Sequence, residues 1–307
     1  MLVFMTNKHN TLSWPVEAVV QVPETQDWHH SGSNLCLDFH GDPCRAGLTV
    51  FSDGNHHMAL EACLQAFVRQ NPTVGDIFYA TTPPAVLIGL MKQGSIRLGN
   101  LSLSCRPDIF IGPQNILEQL AGEGLVQMPK HFMRSRCNVL LVANSNPKEI
   151  VGIQDLLRDD VQLFISNPQT EKASFQVYSE TLLNMAVEQG LPPLPFHDLL
   201  AGKTNNIVYG EQIHHRELPQ AIADGQADVA VVYYHLALRY TRIFPDLFDI
   251  IPLGGSAAEP AATPAHHLTD YAVAVVNADN PHVEPLMNHL FSELTTEIYT
   301  HHGLVRS

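Results

Sequence analysis

The strongest constraint on the fold is a regular alternation of short apolar runs with helical patterns in the first half of the chain. Apolar runs and helical spacings follow one another at 48–51, 58–67, 75–80, 85–93, 107–111 and 114–122. The apolar runs are too short for helices, and turn residues end each of them. A strand–helix order repeated in this way is typical of a parallel sheet with right-handed crossovers. The sequence therefore predicts an α/β fold.

The same kinds of pattern continue to the end of the chain. We expect strands at 137–143, 161–166, 228–234 and 271–276, and helices at 173–189, 214–224, 235–241 and 283–301. Residues 153–157 predict a helical turn, and the prolines from Pro192 to Pro195 predict a break. Residues 1–47 predict an irregular arm, in which 16–22 alternates weakly as an edge strand would and 33–39 alternates better.

Charge and hydropathy exclude several classes of function. The chain has 31 acidic and 17 basic residues, a net charge of −14, with no basic run. This balance excludes nucleic acid and an anionic membrane surface as partners. No stretch reaches the ~18 uninterrupted apolar residues of a membrane span. The start, MLVFMTNKHN, lacks the parts of a signal peptide. We expect a cytoplasmic protein, or a periplasmic one if a leader was removed.

The turn after the first strand carries the densest set of polar side chains, Ser52-Asp53-Gly54-Asn55-His56-His57. Ligands of open α/β sheets bind at the carboxyl ends of strands, where helix N-termini present unpaired N–H groups. Serine, aspartate and asparagine at such a place also cap helices. Ligand binding and capping therefore both remain open for this turn.

The turn after the second strand has the same character. Thr81 and Thr82 precede Pro83 and Pro84, and proline at a first helical position makes Thr82 a candidate N-cap. Two hydroxyl-bearing turns in succession point to one sheet edge. Tyr233, at the end of the apolar run VVYY, fits either core packing or ligand contact.

Histidine and cysteine usage gives no strong metal or disulfide signal. The 17 histidines include adjacent pairs at 29–30, 56–57, 214–215, 266–267 and 301–302. Adjacent histidines point to opposite faces of a strand, or diverge by ~100° on a helix, so such a pair is a poor chelator by itself. The 5 cysteines lack a CxxC pair and predict buried thiols rather than a disulfide framework.

Three segments of the chain resemble type II periplasmic solute-binding proteins, particularly the molybdate- and tungstate-binding branch. The segments are LTVFSDGNHHMALEACLQAF at 48–67, GQADVAVVYYHLA at 225–237 and YAVAVVNADNPHVEPLMNHLFSELTTEIYTHHGL at 271–304. The second is similar to the Gly-x-Ala-Asp-x-x-x-Val-Tyr segment of that family. The order and spacing of the three carry the resemblance across 48–304.

The resemblance implies an architecture of two lobes. Each lobe would be a mostly parallel sheet flanked by helices, with a ligand cleft between the lobes. The first lobe would comprise 48–132 and 271–307, the second 133–270, and residues 1–47 would form the arm.

The resemblance also implies a set of ligand-binding residues. In the family, hydroxyls of the first two strand–helix turns, backbone N–H groups of the second lobe and a tyrosine hold a tetrahedral oxyanion. Carried over, the positions are Ser52, Asp53, Gly54, Asn55, Thr81, Thr82, Ser174, Phe175, His215 and Tyr233. Neutral hydroxyls and helix N-termini suit a dianion because their fixed dipoles need no counter-charge.

The sequence departs from the family pattern in the first turn. Asp53, His56 and His57 stand where the family prefers small neutral residues, and Asp53 would repel a dianion unless it points away. Carboxylate, imidazole and phenol groups are also ligands of transition metals. The alternative metal set for zinc, nickel or iron consists of His56, His57, His214, His215, Asp53 and Tyr234.

The leading prediction is a binding protein that closes two lobes over a small inorganic oxyanion such as molybdate, tungstate or sulfate. It would need neither cofactor nor catalytic residues, and its partner would be an ABC-transporter permease. The alternatives are binding of a transition metal or metal chelate, a cytoplasmic ligand-sensing domain, and an enzyme on the same fold. The sequence has no nucleophile elbow, P-loop or HExxH motif to support an enzyme.

Overall fold

The computed structural model describes residues 39–43, 45–98, 101–211 and 213–307. These residues divide into two compact units. The first unit is formed by the described part of Cys36–Arg136 together with Leu268–Ser307, and the second by Cys137–His267. Most of the predicted arm, including the strand expected at 16–22, lies outside the described residues.

The elements follow the chain in a strand–helix alternation. The first unit begins with β1 (Phe39–His40), β2 (Leu48–Ser52), α1 (His57–Gln70), β3 (Ile77–Thr81), α2 (Pro84–Gln93), β4 (Ser95–Leu98), β5 (Leu101–Ser104), β6 (Ile109–Pro113), α3 (Gln114–Gly122) and β7 (Lys130–Ser135). The second unit contains β8 (Asn138–Ala143), β9 (Leu163–Ile165), α4 (Lys172–Glu188), α5 (Pro193–Leu200), β10 (Ile207–Tyr209), α6 (His214–Ala223), β11 (Val229–Tyr233), α7 (Tyr234–Ile243) and β12 (Phe248–Pro252). The chain then completes the first unit with β13 (Asp270–Val275), α8 (Val283–Leu290), α9 (Glu293–His301) and β14 (Leu304–Arg306).

The sheet of the first unit has the strand order β1-β3-β2-β6-β13-β7-β14. Its central strands β3, β2 and β6 are parallel, and β13 pairs antiparallel with β6. Side chains alternate between the two faces of this sheet. Val50 and Ile111 lie in a core that includes residues of α1, α8 and α9, whereas Phe51 and Phe110 pack with Leu87 and other residues of a second core. Coverage of both faces explains the nearly continuous apolar sequence of β2 and β3.

The sheet of the second unit has the order β10-β9-β11-β8-β12. Here β10, β9 and β11 are parallel to one another. Strand β8 pairs antiparallel with β11 on one side and with β12 on the other. Its strands β8 and β11 are buried almost throughout, and large apolar side chains such as Phe164, Phe196 and Tyr240 are also buried. The prediction of an α/β fold with helix-flanked sheets is confirmed. The expectation of mostly parallel sheets is wrong, because both large sheets are mixed and their parallel pairs are confined to three neighbouring strands.

Three details differ from the sequence predictions. The helix expected at 283–301 is two helices, because the side chain of Ser292 accepts a hydrogen bond from the N–H of Thr295 and starts α9. Pro193 begins α5 instead of ending a segment, since proline is tolerated at a first helical position. The N-cap of α2 is Pro83, not Thr82, because the first helical residue is Pro84 and not Pro83.

The cysteine prediction is confirmed for the cysteines that the structure describes. Cys63, Cys105 and Cys137 are buried, and none of these three is in a disulfide. Cys36 and Cys44 lie outside the described residues. Among the described helices, none is long and apolar enough to span a membrane.

Candidate functional site

The structure places the two predicted hydroxyl turns of the first unit side by side. Ser52 and Thr81 are Cα partners in the parallel pair of β2 and β3, and Ser52 is also paired with Ile111 of β6. Both hydroxyl residues are buried, with exposed fractions of 0% for Ser52 and 2% for Thr81. They therefore occupy one carboxyl edge of the parallel strands, where α/β sheets bind ligands.

The Asp53 carboxylate makes hydrogen bonds within the turn that directly follows it. Its Oδ1 accepts the backbone N–H of Asn55 at 2.9 Å, and its Oδ2 accepts the side-chain amide of Asn55 at 3.3 Å. Asp53 is thereby the N-cap of a short 3-10 turn over Gly54–His56. Burial raises the pKa of Asp53 to about 6, and the two bonds from Asn55 oppose that rise. Asp53 thus has a capping role, one of the two roles considered for this turn, and Asn55 supplies the donors that its carboxylate accepts.

His56 joins Ser52 to the C-terminal helix of the same unit. The His56 ring is fully buried, with Nε2 at 3.2 Å from Ser52 Oγ and Nδ1 at 3.2 Å from the hydroxyl of Tyr299 on α9. The edge of the ring also meets Tyr271, with centroids 4.9 Å apart. Burial, followed by the charge of His57, lowers the pKa of His56 to about 3. The imidazole is therefore neutral at physiological pH.

His57 has a local structural contact. Its Nδ1 lies 2.8 Å from the carbonyl oxygen of Gly54, so Nδ1 carries the proton and donates. The residue is buried and is the first residue of α1. This contact closes the turn that carries Ser52 and Asp53.

Thr81 also has a histidine neighbour. Thr81 Oγ1 lies 3.2 Å from Nε2 of His40, and the His40 ring stacks on Tyr79 with centroids 4.4 Å apart. Thr82 is buried beside it, with 8% of its surface exposed. Each of the two strand-end hydroxyls is therefore held by an imidazole.

The sequence did not single out His40, Tyr271 or Tyr299 as site residues. His40 sits in a His-Gly-Asp-Pro turn, which turn chemistry explains without a ligand. Tyr299 lies 243 positions after His56, and a lone helical tyrosine carries no signal of such a partner. Only the periodic apolar pattern that places α9 against α1 could have suggested the contact.

In the second unit, the residues around Phe175 form the first turn of α4. The Phe175 N–H donates to the carbonyl of Glu171 at 3.0 Å, and Ser174 Oγ donates to the same oxygen at 3.2 Å. The amide expected to hold a ligand is thus engaged within the helix. The first N–H groups of a helix have no partner inside it, so the open donors of this turn precede Phe175.

The start of α6 holds His214 and His215 and is occupied by carboxylates. The N–H of His214 donates to Glu171 Oε2 at 3.0 Å, and the N–H of Ile213 donates to Glu217 Oε1 at 3.1 Å. Burial raises the pKa of Glu171 to about 7. His214 is buried between the rings of Phe164 and Tyr178, and burial lowers its pKa to about 3. The carbonyl of His215 accepts the hydroxyl of Tyr240.

Tyr233 and Tyr234 lie where β11 meets α7. Tyr233 is the last residue of β11 and 2% exposed, and its ring contacts Tyr178 and His235 with centroids 5.2 and 5.1 Å away. The N–H of Tyr234 donates to the carbonyl of Cys137 at 2.9 Å. Tyr233 is therefore in the aromatic core at a strand end, and Tyr234 continues as the first residue of α7.

The alternative metal set gains no support from this geometry. In the described part of the chain, no group of three or more His, Cys, Asp or Glu side chains is arranged to hold a metal ion. Both ring nitrogens of His56 and Nδ1 of His57 already make hydrogen bonds. These ring nitrogens therefore already have hydrogen-bond partners within the first unit.

Two helix-flanked mixed sheets with polar strand ends define a type II periplasmic binding-protein fold, and the comparisons with known proteins agree. The sequence profile of the bacterial extracellular solute-binding proteins matches residues 48–305. The chain belongs to this family. No curated protein is significantly similar to it in sequence.

Solved structures share the fold at low sequence identity. Peb3 from Campylobacter jejuni is 15% identical with a TM-score of 0.58, covering 85% of this chain and 100% of its own. The sulfate-binding protein SubI from Mycobacterium tuberculosis is 15% identical with a TM-score of 0.60, covering 84% and 85%. The periplasmic molybdate-binding protein of Azotobacter vinelandii is 16% identical with a TM-score of 0.57, covering 84% and 98%.

Proposed function

We propose that this protein binds a small oxyanion of the molybdate, tungstate or sulfate type and delivers it to the permease of an ABC transporter. The observation that carries the proposal is the pairing of Ser52 with Thr81 at the carboxyl ends of two parallel strands. Two buried neutral hydroxyls beside helix N-termini can donate to an anion without bringing a full positive charge.

The similar structures support this class of ligand. SubI is described as a sulfate-binding protein and the Azotobacter protein as a molybdate-binding protein. PEB3, 14% identical with a TM-score of 0.58, has been solved with bound L-phospholactate, whose phosphate group is also a tetrahedral oxyanion. Gly54, Asn55 and Thr82 belong to the same two turns. Ser174, His215 and Tyr233 of the second unit stay candidates of this proposal, whereas the Phe175 N–H already donates within α4.

We propose binding without covalent chemistry. A Ser–His–Tyr chain such as Ser52, His56 and Tyr299 invites comparison with an activated nucleophile. A general base works best with a pKa near the operating pH. Because burial lowers the pKa of His56 to about 3, this imidazole is a poor acceptor for the Ser52 proton.

Calorimetric titration with molybdate, tungstate, sulfate and phosphate tests the proposal, with zinc and nickel as the metal arm. We expect at least one oxyanion to bind, and Ser52→Ala and Thr81→Val each to weaken it about tenfold, since each removes one hydrogen bond to a charged group. Ser135→Ala is the matched control, because the Ser135 hydroxyl is equally buried but accepts the N–H of Thr269. Binding of metals alone, or equal losses from all three variants, would contradict the proposal.

A further inference from the structure

The hydroxyl of Ser52 is one end of a hydrogen-bond chain that crosses the first unit. Ser52 Oγ lies 3.2 Å from His56 Nε2, and His56 Nδ1 lies 3.2 Å from the Tyr299 hydroxyl. All three side chains are completely buried, each with 0% of its surface exposed. Water therefore does not compete for these hydrogen bonds, and the proton on each atom has to be assigned among the protein groups themselves.

The protonation state of His56 limits the possibilities. Burial keeps the imidazole neutral at physiological pH. A neutral imidazole has one N–H donor and one bare nitrogen that accepts. Either Nε2 donates to Ser52 and Nδ1 accepts from Tyr299, or both directions are reversed.

The Tyr299 hydroxyl decides between the two arrangements. Within the described part of the chain, its single hydrogen-bond partner is His56 Nδ1. A buried O–H must donate to an acceptor, and leaving that proton without one is costly. Tyr299 therefore donates to Nδ1, the proton of the imidazole sits on Nε2, and Nε2 donates to Ser52 Oγ.

We propose that His56 and Tyr299 are positioning residues that make Ser52 a hydrogen-bond donor toward the ligand. The Ser52 oxygen already accepts from His56, so its own proton has to point elsewhere. Without a ligand this proton reaches the backbone carbonyl of Asp53, at 3.2 Å. That bond is long for an O–H donor, and a closer anionic oxygen would capture the proton.

The arrangement narrows the class of ligand. The ligand atom that meets Ser52 has to accept a hydrogen bond, because the Ser52 proton points toward it. A fully ionised oxyanion such as sulfate or molybdate satisfies this at every oxygen. The inference rests on the proposed function, but it makes a separate statement about the tautomer of His56.

A double-mutant cycle on oxyanion affinity tests the inference with Tyr299→Phe, Ser52→Ala and the double variant. We expect Tyr299→Phe to weaken binding about tenfold in the wild-type background, because the tautomer is no longer fixed. In the Ser52→Ala background, Tyr299→Phe should cause no further loss, because Tyr299 acts through Ser52. Equal losses in both backgrounds would overturn the inference.

The matched control is Thr295→Val, which also removes a buried hydroxyl from α9. The Thr295 hydroxyl donates to the carbonyl of His289 at 2.7 Å and has no link to Ser52. We expect this variant to lose stability but keep its affinity. An affinity loss equal to that of Tyr299→Phe would show that general damage to α9 is the cause.

Nitrogen-15 NMR of the histidine rings reads the tautomer directly and needs no ligand. We expect the wild-type His56 ring to carry its proton on Nε2, and Tyr299→Phe to reduce the population of that tautomer. A wild-type ring protonated on Nδ1 would overturn the inference even if the oxyanion binds. If the NMR result holds but no oxyanion binds, the proposed function fails while the assignment of the hydrogen bonds stands.

Discussion

The carboxylate of Glu171 accepts the backbone N–H of His214 at 3.0 Å, at the first residue of α6. Helix N-termini attract anions, and at the N-terminus of α6 the Glu171 carboxylate takes the position that an external anion could occupy. The Glu171 carboxylate also interacts electrostatically with Glu217 and with Tyr178. Lys172 is next in sequence. Burial of Glu171 and the charge of Glu217 raise the pKa of Glu171 to about 7, and the hydrogen bond from the His214 N–H opposes this rise.

The first prediction concerns stability and pH. Because the folded-state pKa of Glu171 is above its ordinary value of 4.5, the folded state holds a proton that the unfolded state releases as pH rises from about 4.5 to about 7. The unfolded state then binds fewer protons, so stability falls with rising pH through this window. Glu171→Gln should abolish this dependence on pH. Above pH 7 its free energy of unfolding should exceed that of wild type by on the order of 1–2 kcal/mol, which is less than the full pKa shift implies because Glu171 is partly exposed.

Urea unfolding of both proteins at several pH values measures this difference. Glu297→Gln, an exposed position on α9, serves as the control and should track wild type throughout. A stability difference between Glu171→Gln and wild type that stays constant from pH 4 to 8 would rule out the proton linkage.

The second prediction concerns Asp53 and anion affinity. The Asp53 carboxylate follows Ser52 directly and is ionised above its pKa of about 6. Asp53→Asn removes this charge, and the amide oxygen can still accept the N–H of Asn55. We expect sulfate to bind the variant severalfold more tightly than wild type at pH 8, because a like charge nearby is removed. At pH 5, where Asp53 is mostly protonated, the gain should be much smaller, and calorimetry at both values would show it.

The third prediction uses two glycines of the first unit. A Cβ on Gly47 would lie 2.3 Å from the carbonyl oxygen of Val74, whereas a Cβ on Gly89 in α2 would meet nothing within 4 Å. Gly47→Ala should therefore destabilise by about 1–3 kcal/mol through overpacking against backbone. Gly89→Ala should stabilise by roughly 0.5–1 kcal/mol, since alanine favours a helix interior. Thermal unfolding midpoints that move in the same direction would contradict this.

The fourth prediction concerns Arg306, which ties β14 to α8, α9 and β7. Its guanidinium donates to the hydroxyl of Thr296 at 2.6 Å and to the carbonyls of Phe132 and Leu290, each at 3.2 Å. Arg306→Met keeps the apolar stem of the side chain but removes the guanidinium and leaves these partly buried acceptors without their donor, at a cost of about 1–3 kcal/mol. Arg69→Met, at an exposed position on α1, should be close to neutral in the same urea series.

Sequence patterns predicted the elements that carry Ser52 and Thr81 because those elements follow strong local rules. Apolar runs fixed β2 and β3, and the parallel order implied that their ends share an edge. The pattern failed at 283–301, where apolar spacing continues across a break that only the capping role of Ser292 reveals. It failed at Thr82 because either Pro83 or Pro84 could begin the helix.

The contacts of the site side chains could not be predicted from the sequence, because they depend on how the folded chain brings distant residues together. The Asp53 carboxylate folds back onto Asn55, a torsional choice that residue type does not determine. His56 receives its partner from α9, and no local spacing links positions 243 residues apart. Open amides were expected near Phe175 and His215, but the Phe175 N–H donates within α4 and Glu171 accepts the N–H of His214, 43 residues along the chain.

The position of Tyr299 has a consequence for how the protein matures. The ribosome produces the segment with Ser52 and His56 early and the tyrosine only after the whole second unit. Until α9 docks, nothing fixes the proton of His56, and the Ser52 hydroxyl is free to donate or accept. The donor role that we propose for Ser52 is then among the last properties that a nascent chain acquires.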